Sequence, residues 1–134
     1  MGAWDYGVFD DDTAYDALDD LKGSTNIMIE MKKYFDEVIK TDYIDYDTGH
    51  YALVSAAVID SVINGTSYRC DDGYIEWIET LSEFDFTPLK QKAVEAIDSV
   101  LSSHSELKEL WEENEELYTT WRNDKLGIQK RLIE

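Results

Sequence analysis

The stretch HYALVSAAVIDSVING, residues 50–65, decides the fold of this chain. Apolar and small side chains occupy nearly every side of a helix drawn through it, which is typical of a helix buried at the centre of a domain. Gly65 ends the stretch, and glycine is common where helices end. We therefore predict a central buried helix over residues 50–65, with amphipathic helices packed around it.

Segments on both sides of this stretch carry apolar residues at the 3.6-residue period of an amphipathic helix. These helices are expected at about residues 12–22, 25–40, 74–84, 88–103, 105–114 and 116–132. Their caps are expected from Asp10–Asp12, from Ser24 or Thr25, from Thr87, and from a capping box of Ser103 with Glu106. Spacing leaves open whether Asn114 separates the last two segments. The prediction is an all-α single domain over residues 1–134, a compact bundle of five to six helices.

The charge of the chain narrows the classes of partner. Its 134 residues include 30 Asp and Glu against 12 Lys and Arg, a net charge of −18. Such a chain repels nucleic-acid phosphates and anionic membrane surfaces, so neither is an expected partner. A basic protein would be attracted and steered towards it, although high acidity also serves solubility alone.

Other sequence features predict a cytoplasmic protein. Cys70 is the only cysteine, which excludes an intrachain disulfide and fits a reducing compartment. The first residues lack the basic region and the apolar stretch of a signal peptide. No apolar run reaches the length of a transmembrane helix.

The opening MGAWDYGVF, residues 1–9, is rich in glycine and aromatic residues. Gly2 and Gly7 let the backbone bend and approach other backbone closely. Trp4 and Phe9 each offer a large apolar surface for burial. We predict that this segment is a structural plug docked onto the helical body; the alternative is that its aromatic residues face a ligand.

Asp60 is the unusual residue of the central stretch, because it falls on a mostly apolar side of the helix. A buried carboxylate needs partners, or its pKa rises. We expect backbone N–H groups or the amine of the N-terminal segment to supply them, which would make Asp60 the anchor of the plug. The alternative is a partly exposed aspartate on the edge of the helix.

The opening MGAWDYGVFDDDTAYDAL resembles the start of a bacterial family known only as domain of unknown function 4259. The positions that fit the family pattern are Met1, Gly2, Ala3, Trp4, Gly7, Phe9, Asp12, Ala14 and Asp16. Asp5 stands where the family usually has glycine. The segments ALVSAAVIDSVING and SELKELWEEN, and a later helix with Trp121, are also similar, so the resemblance covers nearly the whole chain. It implies a small all-α protein and no established activity, so no catalytic residue carries over.

Two predicted loops, TDYIDYDTG at residues 41–49 and TSYRCDDG at residues 66–73, combine aspartate with tyrosine. These residue types on an exposed loop suit the recognition of a basic protein. The alternative is that the tyrosines are half-buried against the bundle. The candidate partner-binding residues are Asp42, Tyr43, Asp45, Tyr46, Asp47, Asp71 and Asp72.

The sequence predicts no catalytic residue, cofactor or metal site. The aspartates of residues 41–49 do not fall into the register of an EF-hand loop. His50 and His104 lack the spacing of zinc ligands. Cys70 lies beside acidic residues, which raise the pKa of a thiol and disfavour a nucleophile.

The favoured function is a non-catalytic protein-binding module of the immunity or inhibitor type, which neutralises a basic partner. One alternative is a hydrolase that uses a metal or buried carboxylates. A second alternative is a structural or regulatory subunit whose acidity only aids solubility.

Overall fold

Residues 5–134, the part of the chain that the computed structural model describes, form seven α-helices and one short 3₁₀ turn. The elements are α1 (Asp12–Lys22), α2 (Ile27–Lys40), α3 (Tyr46–Asn64), α4 (Tyr74–Thr80), the 3₁₀ turn (Thr87–Leu89), α5 (Lys90–Val100), α6 (Glu106–Glu112) and α7 (Tyr118–Ile133). These residues contain no β-strand, only an isolated parallel bridge between Ile44 and Ser105. The all-α prediction is confirmed, and the count of seven helices exceeds the expected five to six.

A break at Asn114 accounts for two separate helices at the end of the chain. The side-chain Oδ1 of Asn114 accepts a hydrogen bond from the backbone N–H of Leu117 at 3.0 Å. An asparagine that bonds nearby backbone groups competes with continuation of a helix. The segment after residue 105 therefore forms α6 and α7 instead of one long helix.

The predicted central helix is α3, which packs against α1, α2, α5 and α7. Every residue from Ala52 to Asp60 is buried. The helix ends at Gly65, whose φ of 70° is the left-handed conformation that glycine adopts with little strain. The near-continuous apolar character of this stretch thus reflects neighbours on several sides.

α3 begins at Tyr46, inside a segment predicted to be a loop. Asp45 caps it, because its Oδ1 accepts the backbone N–H of Thr48 at 2.8 Å. Gly49 lies within the helix against α6, and a Cβ added there would lie 2.8 Å from Leu107 Cδ1. A glycine interpreted as a loop signal therefore permits close packing of two helices.

Three other helix starts differ from the predicted caps. Thr87 is the first residue of the 3₁₀ turn, and α5 begins after Leu89 without a side-chain cap, so the expectation of Thr87 is wrong. Asn26 caps α2, so the expectation of Ser24 or Thr25 is wrong. Ser105 caps α6, so the expectation of Ser103 is also wrong. At the starts of α2 and α6 several residues able to cap a helix lie within three positions, and composition does not choose among them.

The apolar stripes predicted from periodicity on α2 and α7 are buried, and on α7 a lysine that was not predicted to be buried lies among them. On α2 the buried residues are Ile27, Met31, Tyr34, Phe35 and Val38. On α7 the buried residues are Trp121, Lys125, Ile128 and Leu132. None of the helices in residues 5–134 combines the length and the apolar character needed to cross a bilayer.

The N-terminal segment lies against the bundle from residue 5 onward. Val8 and Phe9 are buried. The ring of Phe9 lies 5.8 Å from that of Tyr68 and 5.1 Å from that of Tyr74, measured between centroids. The structure thus places Phe9 in the core beside the loop that follows α3.

Candidate functional site

Asp10 is buried and joins the N-terminal segment to the loop after α3. The guanidinium of Arg69 donates to both of its oxygens, with Nε 3.2 Å from Oδ1. The same guanidinium donates to Asp5 Oδ2 at 2.8 Å. The backbone N–H of Gly7 also donates to Asp10, at 3.0 Å, and a Cβ at Gly7 would collide with that carboxylate. A bidentate arginine–carboxylate pair of this kind fixes the relative orientation of the two side chains and also compensates their charges.

Asp11 is also buried and joins the N-terminal segment to the start of α3. It caps α1 by accepting the backbone N–H of Thr13 at 2.7 Å, and it accepts the hydroxyl of Tyr46. His50 Nε2 lies 3.4 Å from its Oδ2. Burial alone would raise the pKa of Asp11, but the contacts with His50 and Tyr46 outweigh it and lower the pKa to about 2.

Asp60 is fully buried near the end of α3, so the alternative of a partly exposed aspartate is wrong. Its described partners are the hydroxyl of Tyr68 at 2.5 Å, Asn64 Nδ2 at 2.8 Å and Arg131 Nε at 2.9 Å. Gly2 and Trp4 lie outside the described residues. The predicted contact between Asp60 and that end of the chain therefore stays a prediction.

Lys125 is a buried cation that the sequence reasoning missed. Its ammonium donates to the backbone carbonyl of Tyr6 and to Asp124 Oδ2, both at 2.8 Å, and lies 5.7 Å from the ring centroid of Trp121. Burial lowers the pKa of Lys125. Its position on the stripe of Trp121, Ile128 and Leu132 was the signal for burial.

We call the buried groups Asp10, Asp11, Asp60 and Lys125, with their partners, the N-terminal corner. Each carboxylate in it has a basic residue within 3.5 Å. Burial of charge is tolerated when a partner and hydrogen bonds compensate for the lost hydration. The paired charges of the corner therefore suit a structural role, in which they hold the N-terminal segment, α3 and α7 together.

A second concentration of acidic and tyrosine side chains lies where α1, α2 and α3 meet. The hydroxyl of Tyr51 donates to Asp20 Oδ2 at 2.8 Å, and that of Tyr34 donates to Glu30. The two rings meet edge to face with centroids 5.0 Å apart. Desolvation, the bond to Asp20 and the nearby charges of Asp16 and Asp47 raise the pKa of Tyr51 to about 12.

The segment before α3 continues this acidic surface. Tyr43 is 47% exposed, and its hydroxyl donates to Glu109 Oε2 of α6 at 3.0 Å. Slight desolvation, the bond to Glu109 and the charges of Glu106 and Asp45 raise the pKa of Tyr43. The segment is held in place at Ile44, whose backbone bonds to residues 104 and 106 at 2.8 and 2.9 Å. Asp42 is exposed beside it.

We call this surface the acidic tyrosine face. Its members are Asp16, Asp20, Glu30, Asp42, Tyr43, Asp45, Asp47, Tyr51, Glu106 and Glu109. The buried ring of Tyr34 supports them through its contact with Tyr51. Asp45 and Asp47 connect its two parts, because one caps α3 and the other lies in the first turn. Of the candidate residues in this segment, Asp42, Tyr43, Asp45 and Asp47 are exposed, whereas Tyr46 is half-buried.

The remaining candidates, Asp71 and Asp72, lie in a different setting. Both are exposed in the loop after α3. Arg69 of this loop contacts the N-terminal corner, and the charge of Asp71 acts on Tyr15 of α1. The structure thus places these two aspartates beside the N-terminal corner, whereas residues 42–47 lie against α6.

Within residues 5–134, no three His, Cys, Asp or Glu side chains form a group that could hold a metal ion. Burial raises the pKa of Cys70, which keeps this half-buried thiol in its protonated form.

The comparisons with known proteins identify a family and no activity. The model of a family described as domain of unknown function (DUF4259) matches residues 2–124. The chain belongs to this family. Searches of curated proteins and of solved structures gave no match. The match confirms the resemblance to the DUF4259 family and assigns no function.

Proposed function

We propose that this DUF4259 protein is a non-catalytic binding module that attaches to a basic protein through the acidic tyrosine face. The observation that carries the proposal is the set of charges around Tyr51. The charged groups that act on its hydroxyl are Asp16, Asp20 and Asp47, from two helices. Lysine or arginine side chains of a partner would supply the opposite charge.

The tyrosines of the face support this proposal because their hydroxyls are already oriented. Tyr51 and Tyr43 donate to Asp20 and Glu109, and this leaves the other lone pairs of these carboxylates for incoming N–H donors. Tyrosine contributes large contact area with only two rotatable side-chain bonds, so little entropy is lost on binding. Pre-oriented acidic groups beside such rings favour fast and specific association.

The net charge of −18 gives the module a long-range attraction for a basic partner. A small acidic protein of this kind suits the neutralisation of a basic toxin or enzyme by covering its surface. We therefore place it with cytoplasmic immunity or inhibitor proteins as a class. This placement rests on charge and surface chemistry, since the family has no described activity.

The test is affinity capture from the native host at low salt, with the tag on the C-terminus. We expect a basic protein to bind in a fixed ratio and to be released by moderate salt. The variant Asp16→Asn/Asp20→Asn/Asp47→Asn is expected to lose it. The absence of any stoichiometric basic partner would contradict the proposal.

The matched control neutralises three exposed carboxylates of the α4 region, in the variant Glu76→Gln/Glu79→Gln/Glu83→Gln. Tyr74 of α4 bonds to Ser61, near the C-terminal end of α3, whereas Asp47 lies in the first turn of that helix. The control has the same net charge as the first variant. Equal loss of the partner in both would show that bulk charge alone drives binding and that the acidic tyrosine face is not the site.

A further inference from the structure

α2 carries a surface of opposite charge to the rest of the molecule. Its outward side presents Lys32, Lys33 and Lys40, all exposed, together with Ile29, which is 66% exposed. Lys92 of α5 lies beside them. We call this surface, with Asp36 at its centre, the lysine face. It is distinct from the stripe by which α2 packs into the core.

Asp36 is surrounded by more positive charge than it can compensate. Lys92 Nζ lies 2.6 Å from Asp36 Oδ1, and the ammonium groups of Lys32 and Lys40 lie 3.2 and 4.0 Å from Oδ2. Hydrogen bonding to Lys92 is the largest cause that lowers the pKa of Asp36. Glu37 is also exposed and lines the same side of α2, so Lys32, Lys33, Lys40 and Lys92 together face the two carboxylates of Asp36 and Glu37. Four ammonium groups against two carboxylates leave a local net charge of +2.

The lysines of this surface are available to a ligand. Lys32 and Lys40 have side chains that are 56% and 74% exposed. The Asp36 side chain is only 17% exposed, so it stays in place while the exposed ammonium groups of Lys32 and Lys40 turn towards an incoming anion. Ion pairs made by exposed lysines are weak, so this costs little. A shallow cavity of about 430 Å³ runs along the same side of α2, from Ile29 to Lys40.

We propose that the lysine face is a second docking surface, which binds a short acidic segment of another protein. From Ile29 to Lys40 the helix rises about 17 Å, which an extended segment of about five residues would span. The glutamates or aspartates of that segment would contact the lysines. One apolar side chain would cover Ile29, an exposed apolar group beside the charges.

Size and charge favour a short protein segment over a larger polyanion. Duplex DNA or an anionic bilayer would extend beyond the lysine face and meet the acidic remainder of a chain with a net charge of −18. A short segment would span about 17 Å, which is about two Debye lengths at an ionic strength of about 0.15 M. Salt at that concentration screens the acidic groups that lie farther away. The exposed Ile29 also suits a peptide side chain better than a phosphate backbone.

The experiment titrates the full chain into a fluorescein-labelled peptide of glutamates around a central leucine, at an ionic strength of about 0.15 M so that distant acidic groups are screened, with anisotropy as the readout. We expect saturable binding. Lys32→Gln/Lys33→Gln/Lys40→Gln should weaken it by roughly tenfold or more, as the combined loss of several modest ion pairs would. Ile29→Ser should weaken binding of the leucine peptide and leave an all-glutamate peptide unaffected.

The matched control is Lys22→Gln/Lys108→Gln/Lys130→Gln, which removes the same charge from α1, α6 and α7. It should retain binding. Absence of peptide binding by the wild type, or equal weakening in both triple variants, would overturn the proposal. So would lysine-dependent binding of single-stranded DNA or of phosphatidylserine vesicles without binding of the peptide. Circular dichroism of each variant verifies that it is folded.

Discussion

The N-terminal corner and the acidic tyrosine face are built from the same residue types and differ in what surrounds them. In the corner, Asp10 and Asp60 are buried against arginines. On the face, Asp16 and Asp20 are exposed, and the donor to Asp20 is the hydroxyl of Tyr51 instead of an arginine. Aspartate and tyrosine thus hold the fold together where cations are buried with them. Where no cation is buried beside them, aspartate and tyrosine remain accessible to a partner.

The largest expected effect is in the corner, at Asp60. Asp60→Asn should lower the free energy of unfolding by about 3 kcal/mol, because asparagine offers one acceptor oxygen where the buried carboxylate accepts from Tyr68, Asn64 and Arg131. Urea denaturation measures this. The control Asp72→Asn changes an exposed aspartate and should stay within about 0.5 kcal/mol. Equal stability of the two variants would mean that Asp60 does not hold the corner.

Lys125 provides the next test of the same region. Lys125→Met replaces lysine with an unbranched side chain of similar length that has no ammonium group. The carbonyl of Tyr6 and the carboxylate of Asp124 then lose their donor. Unsatisfied buried groups cost about 1–3 kcal/mol, so we expect a loss of about 2 kcal/mol in urea denaturation. Amide hydrogen exchange should speed up in residues 5–10 specifically. Unchanged exchange there would show that Lys125 does not hold the segment.

Asp11 should give the corner a characteristic pH dependence. Its folded pKa of about 2 lies below the ordinary aspartate value of 3.8. A depressed pKa means that the stabilisation is present above about pH 4 and is lost as the pH falls towards 2. The shift corresponds to about 2 kcal/mol. Asp11→Asn preserves an effective helix cap and removes the charge, so it should reduce this acid dependence. An unchanged pH profile would assign the effect to other groups.

The smallest effect is expected on the acidic tyrosine face. Asp16→Asn/Asp20→Asn/Asp47→Asn should change the free energy of unfolding by no more than about 0.5 kcal/mol, as is usual for exposed positions. Relief of repulsion between neighbouring carboxylates would make any change a slight gain. Thermal and urea denaturation check this. A loss comparable to that of Asp60→Asn would mean that the face is structural.

Features of the fold that repeat with the helical period can be predicted from the sequence, whereas contacts between residues far apart in the chain cannot. The buried stripe of α2 and the central position of α3 follow from spacing, because burial imposes the helical period. Capping residues are less predictable, since Ser24, Thr25 and Asn26 can all cap a helix.

The contacts of the corner lie beyond any spacing rule. Arg131 reaches Asp60 and Lys125 reaches Tyr6 from the far end of the chain, and no local pattern pairs residues at such separations. The acidic tyrosine face was predicted only in part. The composition of residues 41–49 predicts Asp42, Tyr43, Asp45 and Asp47 as candidates, but Asp16, Asp20 and Tyr51 join them only through the packing of α1 on α3.

The measurement that tests the central claim most directly is the dissociation constant of the captured basic partner for two purified variants at low salt. One is Asp16→Asn/Asp20→Asn/Asp47→Asn, and the other is Glu76→Gln/Glu79→Gln/Glu83→Gln. We predict at least about tenfold weaker binding for the first, about 1.4 kcal/mol, and wild-type binding for the second. Equal affinity of the two variants would contradict recognition through the acidic tyrosine face.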